Sequence, residues 1–228
     1  MMTDIVESES YALSTAFTPD WIGNYQVKGL FHSSSHSHTW LATSAIDATP
    51  TLLKTGLHIE REFAALKACQ GRGVQELAGS LVVVANDTYL PLQYYPKQRS
   101  LLTLRNDEVS LFIELLPSLI RAITHCHRCG WVHGDIKPSN VLLCDACRQV
   151  RLVDFGAALP IGFDRLSLGE WQATPAFASA QQSLGHGFAN EGDDWFSLKH
   201  WLNQLENDHV PKESREQLRR CIDYLKVQ

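Results

Sequence analysis

Hydrophobic and polar residues alternate with a short period in the first third of the chain and with a helical period in much of the remainder. Between residues 25 and 54, three β-prone segments are separated by turn-forming residues, which predicts a short meander of strands. Residues 58–69 place their apolar side chains on one helical face. Two further apolar segments, 80–85 and 88–95, predict strands. The first part of the chain is therefore expected to be a small antiparallel β unit with one helix.

The rest of the chain is expected to be mainly helical. Its longest helical pattern covers residues 108–129, and Gly130 suits the end of that helix. Short β-prone segments at 141–143 and 150–153 flank a turn, and further helical patterns follow. Residues 1–22 are polar and lack periodicity, which predicts a flexible tail. Strands followed by helices indicate an α+β fold with a small β lobe and a larger helical lobe.

Composition places the chain among ordinary soluble globular proteins. Its 228 residues are 44% hydrophobic and 20% charged. The net charge of −5 gives no indication of a nucleic-acid or membrane-surface partner. The acidic N-terminus lacks the regions of a signal peptide, and the most apolar stretch, 109–123, is interrupted by charged residues. Six cysteines without an export signal are typical of a reducing compartment, so we expect a cytoplasmic protein without a membrane span.

The sequence H-G-D-I-K-P-S-N, followed after a short interval by V-D-F-G, carries the clearest chemistry. Asp135 and Lys137 lie two residues apart in an extended loop. Asn140 and Asp154 supply oxygen donors of the kind that Mg²⁺ prefers, and a hairpin over 141–153 would bring them together.

This pattern resembles the catalytic and metal-binding loops of the eukaryotic-like (Hanks-type) Ser/Thr protein kinases. The resemblance implies that Asp135 orients the substrate hydroxyl or accepts its proton, that Lys137 reaches the transferred phosphate, and that Asn140 and Asp154 hold Mg²⁺. It also implies a kinase-like domain over 23–228 that uses ATP. The matching positions keep the family's spacing and are His133, Asp135, Lys137, Asn140, Asp154, Phe155 and Gly156.

The same resemblance extends into the first part of the chain, where the β lobe would cover residues 23–94 and the helical lobe 95–228. Lys54 resembles the strand lysine with which the family holds the α- and β-phosphates of ATP. Its helix partner would be Glu62, which lies about 45° from the mean direction of the apolar helix face, whereas Glu60 lies about 115° away. The alternative is that both glutamates are solvated helix charges.

Further segments look like the hinge and the activation segment of the family. In Y-L-P-L-Q-Y-Y-P, Leu92 would be the gatekeeper, and the backbone of Gln93 and Tyr95 would contact adenine. T-P-A-F-A-S-A-Q resembles the substrate-binding end of the activation segment, where Thr174 would bridge the catalytic aspartate and lysine, as in Ser/Thr-specific members. Asp194 resembles the helix aspartate that holds the catalytic loop.

The sequence departs most from the family in the loop that covers the phosphates. The three glycines of that loop fall at His32, Ser34 and Ser37. Serine carries a Cβ but offers a hydroxyl donor, so Ser34 and Ser37 are expected to contact ATP, with weaker binding or an altered pose. Gly134 replaces the arginine that pairs with a phosphorylated activation loop in the family. This replacement predicts activity that does not depend on such a phosphate.

A third departure concerns a buried ion pair. The family's Ala-Pro-Glu is Ser179-Ala180-Gln181 here, so the glutamate of that pair is replaced by a neutral side chain. Its arginine partner belongs to a later helix that we expect this chain to lack. Loss of both partners is tolerable, because leaving one member of a buried pair alone costs about 3–5 kcal/mol.

Two cysteine pairs have a spacing close to that of a four-cysteine zinc site. Cys126 and Cys129 lie at the end of the long predicted helix, and Cys144 and Cys147 bracket the turn of the hairpin. One hypothesis is a structural Zn²⁺ bound by all four thiolates. The alternative is that these cysteines pack as small apolar residues.

Three functions remain open at this stage. The first is an active Ser/Thr protein kinase that phosphorylates a protein partner with Mg-ATP. The second is a small-molecule phosphotransferase of the same fold, against which Lys137 and the activation-segment pattern speak. The third is a pseudokinase that acts as a binding or scaffold module, which the glycine-free loop favours. Function belongs to the site, so fold similarity does not distinguish them.

Overall fold

The computed structural model describes residues 19–34, 37–170, 173–207 and 211–225. The first strands form consecutive antiparallel pairs, as the alternating pattern predicts. A helix follows them and packs with its apolar face inward. These elements are β1 (Trp21–Ile22), β2 (Tyr25–Ser33), β3 (Ser37–Ser44), β4 (Pro50–Gly56) and α1 (Ile59–Ala68).

Two more strands complete this sheet, and a third begins the helical part. They are β5 (Val82–Val84), β6 (Asp87–Gln93) and β7 (Gln98–Ser100). The six-stranded sheet has the order β1-β2-β3-β4-β6-β5, so β6 lies beside the strand that carries Lys54. Lys54 pairs with Leu90 across these strands, and Leu52 pairs with Leu92. All four side chains therefore share one face of the sheet.

The centre of the helical lobe is α2 (Val109–Arg128). Its inward face is fully buried at Phe112, Leu119 and Ile123. By length and composition it could cross a membrane, but 44% of its most apolar window is buried inside the protein. This pattern is typical of the core helix of a globular protein.

Short strands and two helices surround α2. The strands are β8 (Trp131–Val132), β9 (Val141–Cys144), β10 (Gln149–Leu152) and β11 (Leu159–Pro160), and the helices are α3 (Ala180–Ser183), α4 (Glu191–Asn207) and α5 (Lys212–Leu225). Strands β9 and β10 form an antiparallel hairpin that also pairs with β7. The ring of Trp201 on α4 lies 4.6 Å from that of Phe112, and Leu218 on α5 is fully buried.

This architecture confirms the predicted α+β fold with a β-sheet lobe and a mainly helical lobe. Of the predicted tail, 1–22, the structure describes residues 19–22, and Trp21–Ile22 already pairs with β2. One continuous core joins the two parts, since α1, β6 and α2 contribute buried residues to it. The loop after β8 and the ends of the β9–β10 hairpin lie against this core, which positions the candidate site.

Candidate active site

A buried carboxylate holds the backbone of the loop that follows β8. Asp194, near the start of α4, is fully buried. One of its oxygens accepts hydrogen bonds from the backbone N–H of His133 and from Nε2 of His127, both at 2.9 Å. The other accepts from the N–H of Gly134 at 2.8 Å. The carboxylate and its three donors satisfy one another's hydrogen bonds, which restricts the conformation of the loop backbone.

Four side chains converge where this loop ends. Lys137 Nζ lies 2.7 Å from Oδ2 of Asp135 and donates to Oγ1 of Thr174 at 2.7 Å. Asn140 Nδ2 donates to the same Oδ2 of Asp135 at 3.0 Å. Lys137 thus connects Thr174 to Asp135. The structure brings together Lys137 and Thr174, which are 37 positions apart in the sequence.

The second carboxylate oxygen of Asp135 differs from the first. Oδ1 is buried and has no hydrogen-bond partner within the described part of the chain. An unsatisfied buried carboxylate oxygen is unfavourable, so it favours a ligand that donates a hydrogen bond. A hydroxyl group is such a ligand. The fixed Oδ2 and the free Oδ1 make Asp135 an oriented acceptor.

An ammonium group lies between two carboxylates at the boundary of the lobes. Lys54 Nζ donates to both oxygens of Glu62, at 2.9 and 2.7 Å, and to Oδ1 of Asp154 at 2.6 Å. Glu62 is buried at 1% exposure, while Glu60 is exposed to solvent. The N–H of Phe155 also donates to Glu62 at 3.2 Å, which ties α1 to the segment after β10.

These contacts set the ionisation of the three groups. Burial raises the pKa of Glu62, although Lys54 opposes this shift. Burial also raises the pKa of Asp154, but the Lys54 ammonium outweighs it and lowers the pKa to about 2. The pKa of Lys54 is raised, because the two carboxylates outweigh its desolvation. Lys54 and Asp154 are therefore charged at neutral pH.

The hairpin brings the two oxygen donors of its ends together. The N–H of Val153 donates to the carbonyl of Asn140 at 3.0 Å, which places Asp154 next to the catalytic loop. Asn140 Nδ2 is engaged by Asp135, so its Oδ1 is the atom suited to a cation. Oxygen donors of this kind fit Mg²⁺.

The predicted hinge residues lie at the end of β6. Leu92 is buried on the cleft-side face that it shares with Lys54. The N–H of Gln93 donates to Glu76 O at 2.9 Å, and its carbonyl accepts from Nε2 of Gln75 at 3.0 Å. The carbonyl of Tyr95 accepts from the N–H of Gln98 at 3.1 Å. Both backbone carbonyls thus have a partner within the protein, and each keeps a second lone pair for a ligand.

Ser34 follows the end of β2, and Ser37 begins β3, and the two residues lie close together. Their hydroxyl oxygens are 3.2 Å apart, and the N–H of Ser37 donates to Oγ of Ser34 at 3.1 Å. The hydroxyl of Ser34 therefore joins the end of β2 to the start of β3. His32 lies at the end of β2 and is exposed.

The backbone leaves no room for a side chain at Gly134. Its φ is +77°, and a Cβ there would lie 2.6 Å from the carbonyl oxygen of Ala157. The adjoining cavity, which Arg61, Arg165 and Gln182 also line, measures about 10 Å³. This volume holds about one water molecule and is too small for a phosphate group.

We expect Gly134→Ala to lower the free energy of unfolding by about 2–4 kcal/mol, because it adds a collision with backbone to the strain of a positive φ. Gly130→Ala is the matched control. Gly130 has φ +83°, but a Cβ there would meet nothing within 4 Å. The control should lose only about 1–2 kcal/mol. Urea unfolding measures the free energy of unfolding of both variants. Equal losses would show that the backbone at Ala157 moves away from the new Cβ without loss of stability.

Sequence reasoning missed the contacts that hold the segment between residues 154 and 182. Gln182 is buried and donates to the carbonyl of Gly134. Arg165 forms a buried ion pair with Asp193 at the start of α4. Arg61 donates to the carbonyl of Gly156 at 3.0 Å. The sequence predicts that the family's buried ion pair is lost at Gln181. The segment instead has the buried Arg165–Asp193 pair, which no motif in the sequence indicates.

The structure does not support the zinc hypothesis. Among the described residues, no group of three or more His, Cys, Asp or Glu is arranged to hold a metal ion. Cys126 is fully buried and contacts Cys69 at the end of α1, and Cys129 contacts Cys69 as well. Cys144 and Cys147 lie instead at the turn of the β9–β10 hairpin, where they contact each other. The sequence spacing of the pairs does not determine their spatial separation.

Comparisons with known proteins agree on one family. The family model described as protein kinase domain matches residues 34–224. Human myotonin-protein kinase is 41% identical over 88 residues, which are 35% of this chain and 13% of that protein. The calcium/calmodulin-dependent protein kinase type II alpha chain of Drosophila melanogaster is 29% identical over 82 residues, 35% of this chain and 16% of that protein. The matches thus span less than a fifth of these relatives.

A solved structure shares the fold. The Cydia pomonella granulovirus kinase PK-1 superposes with a TM-score of 0.67 over 87% of each chain, at 14% sequence identity. The family model covers most of the chain, including the loop of Asp135, the β9–β10 hairpin and the segment up to α5. On this evidence, the chain belongs to the protein kinase family.

Proposed function

We propose that this chain is a Ser/Thr protein kinase that transfers the γ-phosphate of Mg-ATP to a protein hydroxyl, without depending on phosphorylation of its activation segment. The observation that carries the proposal is the carboxylate of Asp135. Lys137 and Asn140 hold one of its oxygens, and the other is buried without a partner in the described chain. This arrangement suits an incoming hydroxyl group.

The chain's own residues would act mainly by positioning. Oδ1 of Asp135 would accept the hydrogen bond of the substrate hydroxyl and, as transfer proceeds, its proton. Lys137 lies beside Asp135 and would attract the oxygens of the transferred phosphate. Asn140 and Asp154 would hold Mg²⁺, which neutralises charge on the ATP phosphates when it is bound.

Lys54 would hold the α- and β-phosphates. Lys54 pairs with Asp154 as well as with Glu62. Glu62 is the more buried partner, at 1% exposure against 47% for Asp154. We therefore expect the Lys54–Glu62 contact to persist when nucleotide binds, and the more exposed carboxylate of Asp154 would be the one available to hold Mg²⁺. Leu92, Gln93 and Tyr95 would line the adenine site.

Specificity for Ser and Thr is supported by the position of Thr174. Its hydroxyl is hydrogen-bonded to Lys137, which also contacts Asp135. The side chain thus joins the substrate-binding segment to the catalytic loop, as in the Ser/Thr-specific members that the sequence resembles. The short Thr174 side chain reaches Lys137 only while this segment lies against the loop.

Independence from phosphorylation is supported by how the activation segment is held. Gly134 provides no arginine for a phosphate, and the cavity beside it has room for about one water. Three contacts that need no phosphate hold the segment: Arg61 to Gly156, Arg165 to Asp193, and Gln182 to Gly134. Two of the three involve groups that are almost fully buried.

A transfer assay tests the proposal. The purified full chain is incubated with radiolabelled ATP, Mg²⁺ and generic protein substrates, and the labelled residues are identified by acid hydrolysis. We expect label on Ser and Thr and unchanged activity after treatment with a phosphatase. Label on Tyr alone would contradict the specificity, and inactivation by the phosphatase would contradict phosphate independence.

Two variants of the activation segment separate the roles of its hydroxyls. Thr174→Ala removes a partner of Lys137 and should reduce the rate of transfer about tenfold or more. Ser167→Ala is the matched control, because the Ser167 hydroxyl is exposed and bonds only locally to the carbonyl of Asp164 at 2.6 Å. It should retain the activity of the unmodified chain. If Ser167→Ala reproduced the effect of a phosphatase, a phosphate at Ser167 would be required.

A second candidate is a pseudokinase that binds nucleotide without transferring phosphate. The observation that favours it is the glycine-free turn, in which Ser34 and Ser37 bond to each other. The same assay separates the two functions. Retention of ATP on the protein without labelled product, in both the unmodified chain and Asp135→Asn, would identify the pseudokinase.

A further inference from the structure

The turn between β9 and β10 carries two thiols that contact each other. β9 ends at Cys144, which pairs with Gln149 in β10, and Cys147 lies within the four-residue turn between them. Sγ of Cys147 donates to the carbonyl oxygen of Cys144 at 3.9 Å, which places the Cys147 thiol beside the residue where β9 ends. Cys147 is exposed, and Cys144 is half-buried.

The thiol and backbone N–H of Cys147 and the backbone N–H of Ala146 lower the pKa of the Cys144 thiol. The contact with Cys144 raises the pKa of Cys147. The pair thus has one sulfur that is a thiolate more readily and a neighbour that stays protonated. A thiolate, and not a thiol, attacks an oxidant.

The turn is fixed on the protein by two ion pairs. Asp145, between the cysteines, pairs with Arg99 at 3.1 Å. Arg148, directly after Cys147, pairs with Glu114 on α2 at 2.5 Å. These contacts connect the turn to the residues of β7 and α2. Cysteines separated by three positions across a tight turn are within the reach of a disulfide.

We propose that Cys144 and Cys147 form a reversible oxidation site for peroxides. In the first step the Cys144 thiolate attacks one oxygen of the peroxide, the O–O bond breaks, and with one proton the products are a sulfenic acid and water. In the second step Cys147 attacks the sulfenic sulfur. The S–S bond forms, and the hydroxyl leaves as water with the proton of the Cys147 thiol. Two electrons pass from the two thiols to one peroxide.

The other cysteines lack this combination. Cys69 and Cys126 are fully buried, which keeps oxidants away from their sulfurs. Burial raises the pKa of Cys129 and of Cys221. We therefore expect Cys144 to react about tenfold or more faster than Cys221, because the rate follows the fraction of thiolate and its exposure.

Peroxide treatment of the full chain tests the site. The chain is exposed to hydrogen peroxide, free thiols are blocked with iodoacetamide, and peptides are mapped by mass spectrometry. We expect a peptide that contains Cys144 and Cys147 to have lost two hydrogen atoms and to regain them with dithiothreitol. Cys147→Ser should stop the reaction at a sulfenic acid on Cys144, which dimedone labels, and Cys144→Ser should abolish it.

Cys221→Ser is the control variant and should form the disulfide at the unchanged rate. Thermal unfolding of the reduced variants shows whether they fold. We expect them to fold, because each substitution replaces one sulfur with an oxygen at a surface turn or on α5. Full alkylation of Cys144 and Cys147 after peroxide, with oxidation at Cys129 or Cys221 instead, would overturn the proposal. A disulfide that joins Cys69 to Cys129 or Cys126 would overturn it as well.

Discussion

Asp135→Asn is expected to reduce phosphoryl transfer to a protein substrate by about 10²–10⁴-fold, the usual contribution of a general base. Asparagine keeps the size of the side chain and an oxygen for Lys137, but it removes the charge and the capacity to take a proton. The contact of Asn140 with Oδ2 can persist if the amide oxygen occupies that position. The affinity for ATP should therefore change no more than about threefold, because Lys54 and the hinge are untouched.

The kinetic readout is kcat, measured with saturating ATP, together with the Kd for nucleotide from equilibrium binding. Asp107→Asn is the matched control, since Asp107 has 72% of its side chain exposed and pairs with the neighbouring Arg105. It should transfer phosphate at the unmodified rate. Equal rates for Asp135→Asn and the unmodified chain would remove Asp135 from the catalytic role.

Lys54→Met is expected to lower the free energy of unfolding at pH 7 by about 3–5 kcal/mol, because it leaves a buried charge without its partner. Glu62 is 1% exposed, and both of its oxygens accept from Lys54. Burial already raises the pKa of Glu62, and without Lys54 nothing of comparable strength opposes that shift. The carboxylate should then bind a proton well above its usual range.

The pH dependence distinguishes this cause from lost packing. In Lys54→Met, the pKa of Glu62 would be higher in the folded chain than in the unfolded chain, where the pKa of a glutamate is about 4.3. The variant should therefore regain stability relative to the unmodified chain as the pH falls from 7 to 5. Lys54→Met with Glu62→Gln should lose this dependence and be the more stable of the two at pH 7. A pH-independent loss in both would point to packing alone.

The periodicity of the sequence was sufficient for the main elements of the fold. The alternation in residues 25–54 became β2, β3 and β4, and the helical pattern of residues 108–129 became α2. The direction of Glu62 followed from the same kind of argument, because a helix of regular pitch fixes the angle between its side chains. Glu62 is indeed inward and Glu60 outward. These features depend on local geometry, which the sequence determines directly.

Contacts made by irregular segments could not be predicted in this way. Gln182 and Gly134 are 48 positions apart, and Arg165 and Asp193 are 28 apart, with loops between them. The path of such loops depends on tertiary packing and not on a period. The positions of the four cysteines could not be predicted for the same reason. Cys126 faces the core beside α1, whereas Cys144 lies on a surface turn, and equal spacing along the chain carries no information about that difference.

The closed backbone at Gly134 limits how this protein can evolve. A lineage with this arrangement could not acquire control by a phosphatase through Gly134→Arg alone, because the first carbon of the new side chain would meet the carbonyl of Ala157. The segment after Phe155 would have to shift, and the φ at position 134 would have to become negative, before the guanidinium could contact a phosphate on that segment. Each of these changes alone would lower the free energy of unfolding before an arginine at position 134 could contact a phosphate.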